Sequence, residues 1–296
     1  IMLDFRMETF LSVCRYMNFT HAAEALHLTQ PAVSQHIRYL EQKYETPLFY
    51  REKKKLSLTP AGELLLSALQ TMQNDENTLK KRMQESLSQK KILTFGVTMT
   101  VGEYAILPSL SAFIKNHPDT DLHIRYGNTQ TLLACLQEGT IDFAIVEGYF
   151  KEDRYEVRIY KEEEYIAVAS SRHKFSQPVR FLRDLTKERL ITRELGSGTR
   201  AVLSRTLALK NLSVLDFSHL VEVENIHTIV SLLCEDCGIS FLYKSAAEQE
   251  IRQGNLCQIP LSDFKITHNF SFLWNKGSIF SEEYETIFQE LKAGSL

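Results

Sequence analysis

Residues 18–62, NFTHAAEALHLTQPAVSQHIRYLEQKYETPLFYREKKKLSLTPAG, read as two helices around a tight turn followed by a basic hairpin. Thr20 stands where an N-cap belongs, ahead of His21-Ala22-Ala23-Glu24-Ala25-Leu26, so its hydroxyl is expected to satisfy an orphan backbone N–H of a short helix. After the turn at His27-Leu28-Thr29, Pro31 suits the first turn of a second helix, where its missing N–H costs nothing. Val33, Ile37 and Leu40 fall at i, i+4 and i+7 and are expected to face a core. The opposite face presents Thr29, Gln30, Ser34, Gln35 and Arg38, which are short polar and amide groups followed by a guanidinium. That chemistry reaches base edges and phosphates from a major groove, so this second helix is the expected reader of double-stranded DNA. Alanines 22, 23 and 25 permit a close helix crossing, and Leu26, Leu28 and Val33 are expected to close a miniature core beneath it.

Pro47-Leu48-Phe49 leads into Tyr50-Arg51-Glu52-Lys53-Lys54-Lys55-Leu56-Ser57-Leu58, a short hairpin with cations at its tip. Arg51, Lys53, Lys54 and Lys55 are placed to meet phosphates, against the plainer reading of a solvated charged turn.

Five stretches carry a family resemblance: Phe19 to Leu26, then Thr29-Gln30-Pro31-Ala32-Val33-Ser34-Gln35-His36-Ile37-Arg38, then Leu40-Glu41, Pro47-Leu48-Phe49 and Leu58-Thr59-Pro60-Ala61-Gly62. On these residues 2–90 resemble the winged helix-turn-helix and linker helix of LysR-type transcriptional regulators. The resemblance implies DNA contacts at Thr20, Thr29, Gln30, Pro31, Ser34, Gln35 and Arg38. The family often carries Arg at the position of Gln35, so an amide replaces a cation at one of them. It also implies a periplasmic-binding-protein-like body of two α/β subdomains, joined by two crossing strands, with an effector in the cleft between them.

Composition agrees with several folding units. A chain of 296 residues exceeds one such head, and 44% hydrophobic residues fill ordinary cores. The formal net charge is −3, which excludes binding of nucleic acid by bulk charge. Residues 1–60 hold eight Lys or Arg against six Asp or Glu, so affinity is expected from local clusters and from two heads acting together. The amino terminus lacks a signal-peptide pattern and no apolar run approaches a membrane helix, so a cytoplasmic protein without a membrane partner is expected. Five cysteines fit a reducing compartment better than a disulfide framework.

Residues 60–90 form a long helical stretch in which Leu65, Leu69, Met72, Leu79, Met83 and Leu87 recur mostly at three- and four-residue steps. One apolar stripe on an otherwise polar helix must be buried, and the resemblance favours burial against a second copy, giving a homodimer and from it a homotetramer. From Lys91 onward apolar strands alternate with amphipathic helices, as in an α/β domain with a largely parallel sheet. Strands are expected at 92–98, 122–126, 143–147, 165–169, 190–192, 220–223, 238–242 and 268–274, and helices at 104–116, 130–138, 226–234 and 282–292. The expected division is 2–59 for the head, 60–90 for the linker and 91–296 for the effector domain, whose subdomains are 91–163 with 268–296 and 164–267.

Ligands of such sheets bind beyond the carboxyl ends of strands, where helix amino termini offer free N–H groups. Thr98, Met99 and Thr100 follow the first strand, Asn128 and Thr129 the second, and Glu147 and Gly148 the third. Each hydroxyl could equally be a simple helix cap. Arg193-Glu194-Leu195-Gly196-Ser197-Gly198-Thr199-Arg200 is a glycine-rich turn into a helix. Gly196 and Gly198 allow close backbone approach, Ser197 and Thr199 add hydroxyls, and Arg200 adds a fork, which together suit a small anionic effector. The turn lacks the Lys of a phosphate-binding loop and the glycines of a nucleophile elbow. No catalytic constellation, metal set or cofactor motif emerges, and an enzyme is the weakest reading. The alternative to an effector switch is a thiol switch at Cys234 and Cys237, a pair that reads first as structural.

Overall fold

The computed structural model describes residues 4–52, 55–88 and 91–294; for residues 51, 52, 55 and 84–88 it describes the backbone alone. Asp4 caps α1 (Phe5–Tyr16), which ends at Met17 in the left-handed region. Helix α2 (Phe19–Ala25) is capped by Asn18, whose carboxamide accepts from the backbone N–H groups of Thr20 and His21 (2.8 and 3.2 Å). The expected cap at Thr20 is therefore corrected: Asn18 takes the role two residues earlier, and Thr20 lies exposed in the first helical turn. His27 (φ 55°) turns the chain. Thr29 then caps α3 (Gln30–Lys43), with Pro31 in its first turn.

Val33, Ile37 and Leu40 are buried with Phe10, Val13, Ala22, Ala23, Leu48 and Phe49 in the core of the head. Leu28 is not part of it and is 40% exposed. Strands β1 (Phe49–Glu52) and β2 (Lys55–Leu58) pair antiparallel as the wing, and Lys53 and Lys54 at its tip lie outside the described residues. Thr59 fastens the wing's exit by donating to the Pro47 carbonyl (2.7 Å) and accepting from the Gly62 N–H (2.9 Å).

Helix α4 (Pro60–Ser88) divides its apolar residues between two environments. Leu69 is 2% exposed in the core of the head, with Leu65 and Leu66 packed on it. It is thus unavailable to a partner, contrary to the single seam expected above. Leu64, Met72, Leu79 and Met83 are exposed. Farther along, Asn74 donates to the Leu136 carbonyl, Asp75 accepts from the Ser278 hydroxyl (2.6 Å) and the Ile279 N–H (2.9 Å), and Arg82 pairs with Glu283 (2.7 Å). The helix is held by polar groups against its own chain's body.

That body is built on a mixed nine-stranded sheet among the described residues. Strands β3 (Lys91–Thr98), β4 (Thr120–Gly127) and β5 (Phe143–Val146) are parallel, with β3 central. The long strands β6 (Tyr155–Ser170) and β11 (Ile266–Asn275) run antiparallel across the middle, with a register shift at Phe270/Ser271. Beyond them β7 (Arg189–Thr192), β8 (His219–Glu222) and β9 (Ile239–Tyr243) form a second parallel set, and the short β10 (Leu256–Gln258) pairs with β6. The sheet is therefore less parallel than expected, because β6 and β11 serve both halves. Helices α5 (Leu107–Asn116), α6 (Thr129–Gln137), α7 (Gly198–Leu209), α8 (Ile226–Cys234), α9 (Lys244–Arg252) and α10 (Ser281–Ala293) cover it. A π-helical turn at Val101–Ala105 precedes α5, where a single helix from Tyr104 was expected, and α9 and β10 were not foreseen.

Leu69→Ala is expected to lower stability by about 2–5 kcal/mol, the cost of a cavity in a core. A null effect of Leu69→Ala on the unfolding midpoint in urea would contradict its place in the core of the head.

Candidate functional site

The strand ends at 98–100, 128–129 and 147–148 converge with the β7–α7 turn. At their meeting point lies Glu147, 1% exposed. Thr98 Oγ1 donates to its Oε2 (3.1 Å), while Thr100 Oγ1 (3.2 Å) and Thr199 Oγ1 (2.7 Å) donate to its Oε1. Thr129 Oγ1 donates to the Glu147 carbonyl (2.7 Å). Burial raises the Glu147 carboxyl above the usual carboxylate range, opposed by the hydroxyls of Thr199, Thr98 and Thr100 and by the positive field of Arg193. Four hydroxyls read as open to a ligand are thus engaged with one residue of the chain, and Thr98, Thr100 and Thr199 surround a charge the protein itself supplies.

The two halves touch here through backbone. Gly148 has φ +87°, and a methyl on it would overlap the Gly198 backbone, as one on Gly198 would overlap Glu147. Glycine is required at both positions by close approach, and at Gly148 by conformation as well. The Gly196 carbonyl accepts from Gln130 N–H (3.4 Å), and Asn128 Nδ2 donates to Glu194 Oε1 (3.3 Å). Asn128 and Ser197 also serve as caps, accepting from Thr131 N–H and Arg200 N–H. Met99 does not join the polar cluster; it packs with Tyr104 against the core of the second half.

Arg200 is buried, and its Nη1 donates to the Arg193 carbonyl (2.8 Å) and approaches Glu222 Oε2 (3.3 Å). Arg193, not singled out from sequence, is buried and bonds Glu194 through Nε and Nη2. Its presence in the quoted RELGSGTR turn was the available signal. Tyr165, buried beside Thr199, donates to the Thr199 and Phe241 carbonyls (2.9 and 3.0 Å) and stacks edge-on against Tyr243. No sequence feature marked that pair.

The expected DNA face is laid out on α3. Gln30, Pro31, Gln35 and Arg38 are exposed, Ser34 is half-buried, and Gln30 Nε2 donates to Ser34 Oγ (2.9 Å), ordering the start of the face. Thr29 also points to this end of α3, its hydroxyl accepting from Ala32 N–H (3.4 Å). Arg51 and Lys55 belong to the wing strands.

The Cys234 and Cys237 thiols are both free. Cys234 ends α8 beside Glu250 Oε2 (3.7 Å), and desolvation together with Glu250 and Glu235 raises its pKa. A sensor thiol needs the opposite, an environment that favours thiolate. A thiol switch is not favoured.

Residues 88–295 match the LysR substrate binding domain, and residues 5–63 match the bacterial regulatory helix-turn-helix protein, lysR family. The HTH-type transcriptional regulator CysL of Bacillus subtilis is 27% identical over 269 residues, spanning 90% of this chain and 89% of its own. An H2O2-bound OxyR variant of Corynebacterium glutamicum superposes with a TM-score of 0.60 at 24% identity, covering 98% of this chain and 91% of that chain. The CcmR regulatory domain of Synechocystis, solved in complex with 2-PG, superposes with a TM-score of 0.61 at 20% identity, over 70% of this chain and 98% of that one. With a helix-turn-helix head on an α/β body whose loops close on a polar cluster, the chain belongs to the LysR family of transcriptional regulators, which pair DNA binding with effector binding.

Proposed function

We propose that this regulator reads a specific DNA site through Gln30, Ser34 and Gln35, steadied by Thr20, Thr29, Pro31 and Arg38, while Arg51 and Lys53 to Lys55 touch phosphates. A small, anionic effector received between the two halves of the body controls it. The effector region comprises Thr98 to Thr100, Asn128, Thr129, Glu147, Gly148 and 196–200. The observation that carries this reading is the convergence of three separate loops on Glu147, a buried carboxyl group met by hydroxyls from both halves. Such a point is sensitive to any change in the gap between them. The complex of the CcmR regulatory domain with 2-PG supports a small-molecule effector here. The domain limits set out above, 2–59, 60–90 and 91–296, are part of the proposal.

The working unit is a homodimer, and from it a homotetramer. The exposed residues Leu64, Met72, Leu79 and Met83 of α4 supply the pairing seam, with Leu69 removed from it. Two heads are needed because one head's excess of two cations is too small for tight binding at physiological salt. No helix of the described residues is long and apolar enough to cross a membrane.

Gln35→Ala is expected to weaken specific DNA by roughly 1–3 kcal/mol and leave random DNA unaffected, measured by fluorescence anisotropy on both. Equal losses on both would remove Gln35 from base reading.

Glu147 makes a pH-dependent contribution. Its folded pKa is raised, so the folded state holds a proton that the unfolded chain releases above about pH 4.3. The stability this proton provides is complete below that range and is lost as pH rises through the folded pKa. Glu147→Gln should therefore gain melting temperature relative to the wild type as pH rises above the unfolded value of about 4.3. Parallel melting curves would show that Glu147 carries no such linkage.

A further inference from the structure

Beside the Glu147 cluster lies a cavity of about 750 Å³, bounded by the amino-terminal turns of α6 and α7 and by residues 149–155 after β5. Lys151, Arg154 and Arg200 line it, and no carboxylate among the described residues does. Arg200 is 6% exposed, and its Nε has no acceptor among the described residues. A buried guanidinium N–H without an acceptor is costly, and a ligand oxyanion would resolve it. Glu222 offsets one of the three positive charges through Arg200, leaving two. Leu133, Tyr149, Phe150 and Leu195 give the same cavity apolar and aromatic walls. The hydroxyls of Thr98, Thr100 and Thr199 are meanwhile engaged on Glu147 and are not free for an entering anion.

We propose that this cavity binds a small organic dianion with a flat apolar body, a phosphomonoester or a dicarboxylate, whose charged end is held by Lys151, Arg154 and Arg200. The proposal rests on the reading of an effector received between the halves and moves its charged end from the hydroxyl cluster to the cations beside it. Two partial positive helix ends, α6 at Thr129 and Gln130 and α7 at Ser197 and Gly198, face the same space and add to the attraction. Arg154 also lines, with Ala134 and Gln137, a second cavity walled by Arg15 and Tyr16 of α1 and by Leu66 and Gln70 of α4. A ligand that draws Arg154 inward removes a side chain from the wall facing the head.

The test is calorimetric titration of the full-length protein with phenyl phosphate and with phthalate, at fixed ionic strength, with phenol as the neutral counterpart. One or both dianions should bind and phenol should not. Lys151→Gln and Arg154→Gln should each weaken binding about 10-fold or more, as expected for loss of a charge-assisted hydrogen bond. Lys187→Gln, which removes an equal charge at a remote surface site, should change it less than twofold. Binding of neither dianion, or equal losses from all three lysine and arginine changes, would overturn the site. A loss on Thr100→Val with none on Lys151→Gln or Arg154→Gln would also overturn it, because the charged end would then sit on the hydroxyls and the cleft reading alone would stand. The preferred headgroup follows from which dianion binds more tightly.

Discussion

A carboxylate withdrawn from water is tolerated only where the protein replaces the lost hydration, and Glu147 receives that replacement from places far apart in sequence. Thr98 and Thr100 come from one half of the body and Thr199 from the other. Removing any of these donors leaves a buried charge short of a partner, so the closed arrangement of the halves and the state of Glu147 are one variable. The Gly148–Gly198 contact follows from the same requirement, because Thr199 reaches the carboxylate only when the α7 turn lies backbone to backbone on the β5 exit.

The head and the body are organised on different physical terms. In the head, apolar packing dominates: Phe10, Val13, Val33, Ile37 and Leu40 form a dry core that reaches into α4 through Leu69. Between α4 and the body, polar contacts dominate, through Asn74, Asp75 and Arg82. The body's own cores are large and aromatic, with Phe143 stacked between Phe95 and Phe272 across β3, β5 and β11.

The parts legible in the sequence were those encoded locally. The i, i+4, i+7 spacing of Val33, Ile37 and Leu40 located α3 because helix periodicity is a short-range property. The strand at 92–98 and the glycine-rich turn before α7 were legible for the same reason. The cap of α2 was misplaced by two residues since Asn18 and Thr20 are both capping residue types, and only the backbone course selects between them. Leu69 was assigned to a partner because a stripe records that a residue is buried and not by what. The engagement of Thr98, Thr100 and Thr199 with Glu147 was beyond local reading, as it depends on closure between segments about 50 residues apart. Arg154 was missed for that reason too: its segment, YFKEDRY at 149–155, reads as a charged loop until α6 and α7 are placed against it.

The ties of α4 to the body set how the head is aimed. Each is a hydrogen bond or an ion pair, buried at Asn74 and partly exposed at Asp75 and Arg82, of a kind that contributes roughly 1 kcal/mol. The joint is thus stiff enough to hold one bearing of the reading helix and weak enough that a few kcal/mol can swing it to another. Because Asp75 lies 15 residues from the head end of α4 at Pro60, about 22 Å at 1.5 Å per residue, the helix acts as a lever: a tilt of a few degrees at Asp75 moves that end by about an ångström or two, the scale on which a side chain either meets a base edge or misses it.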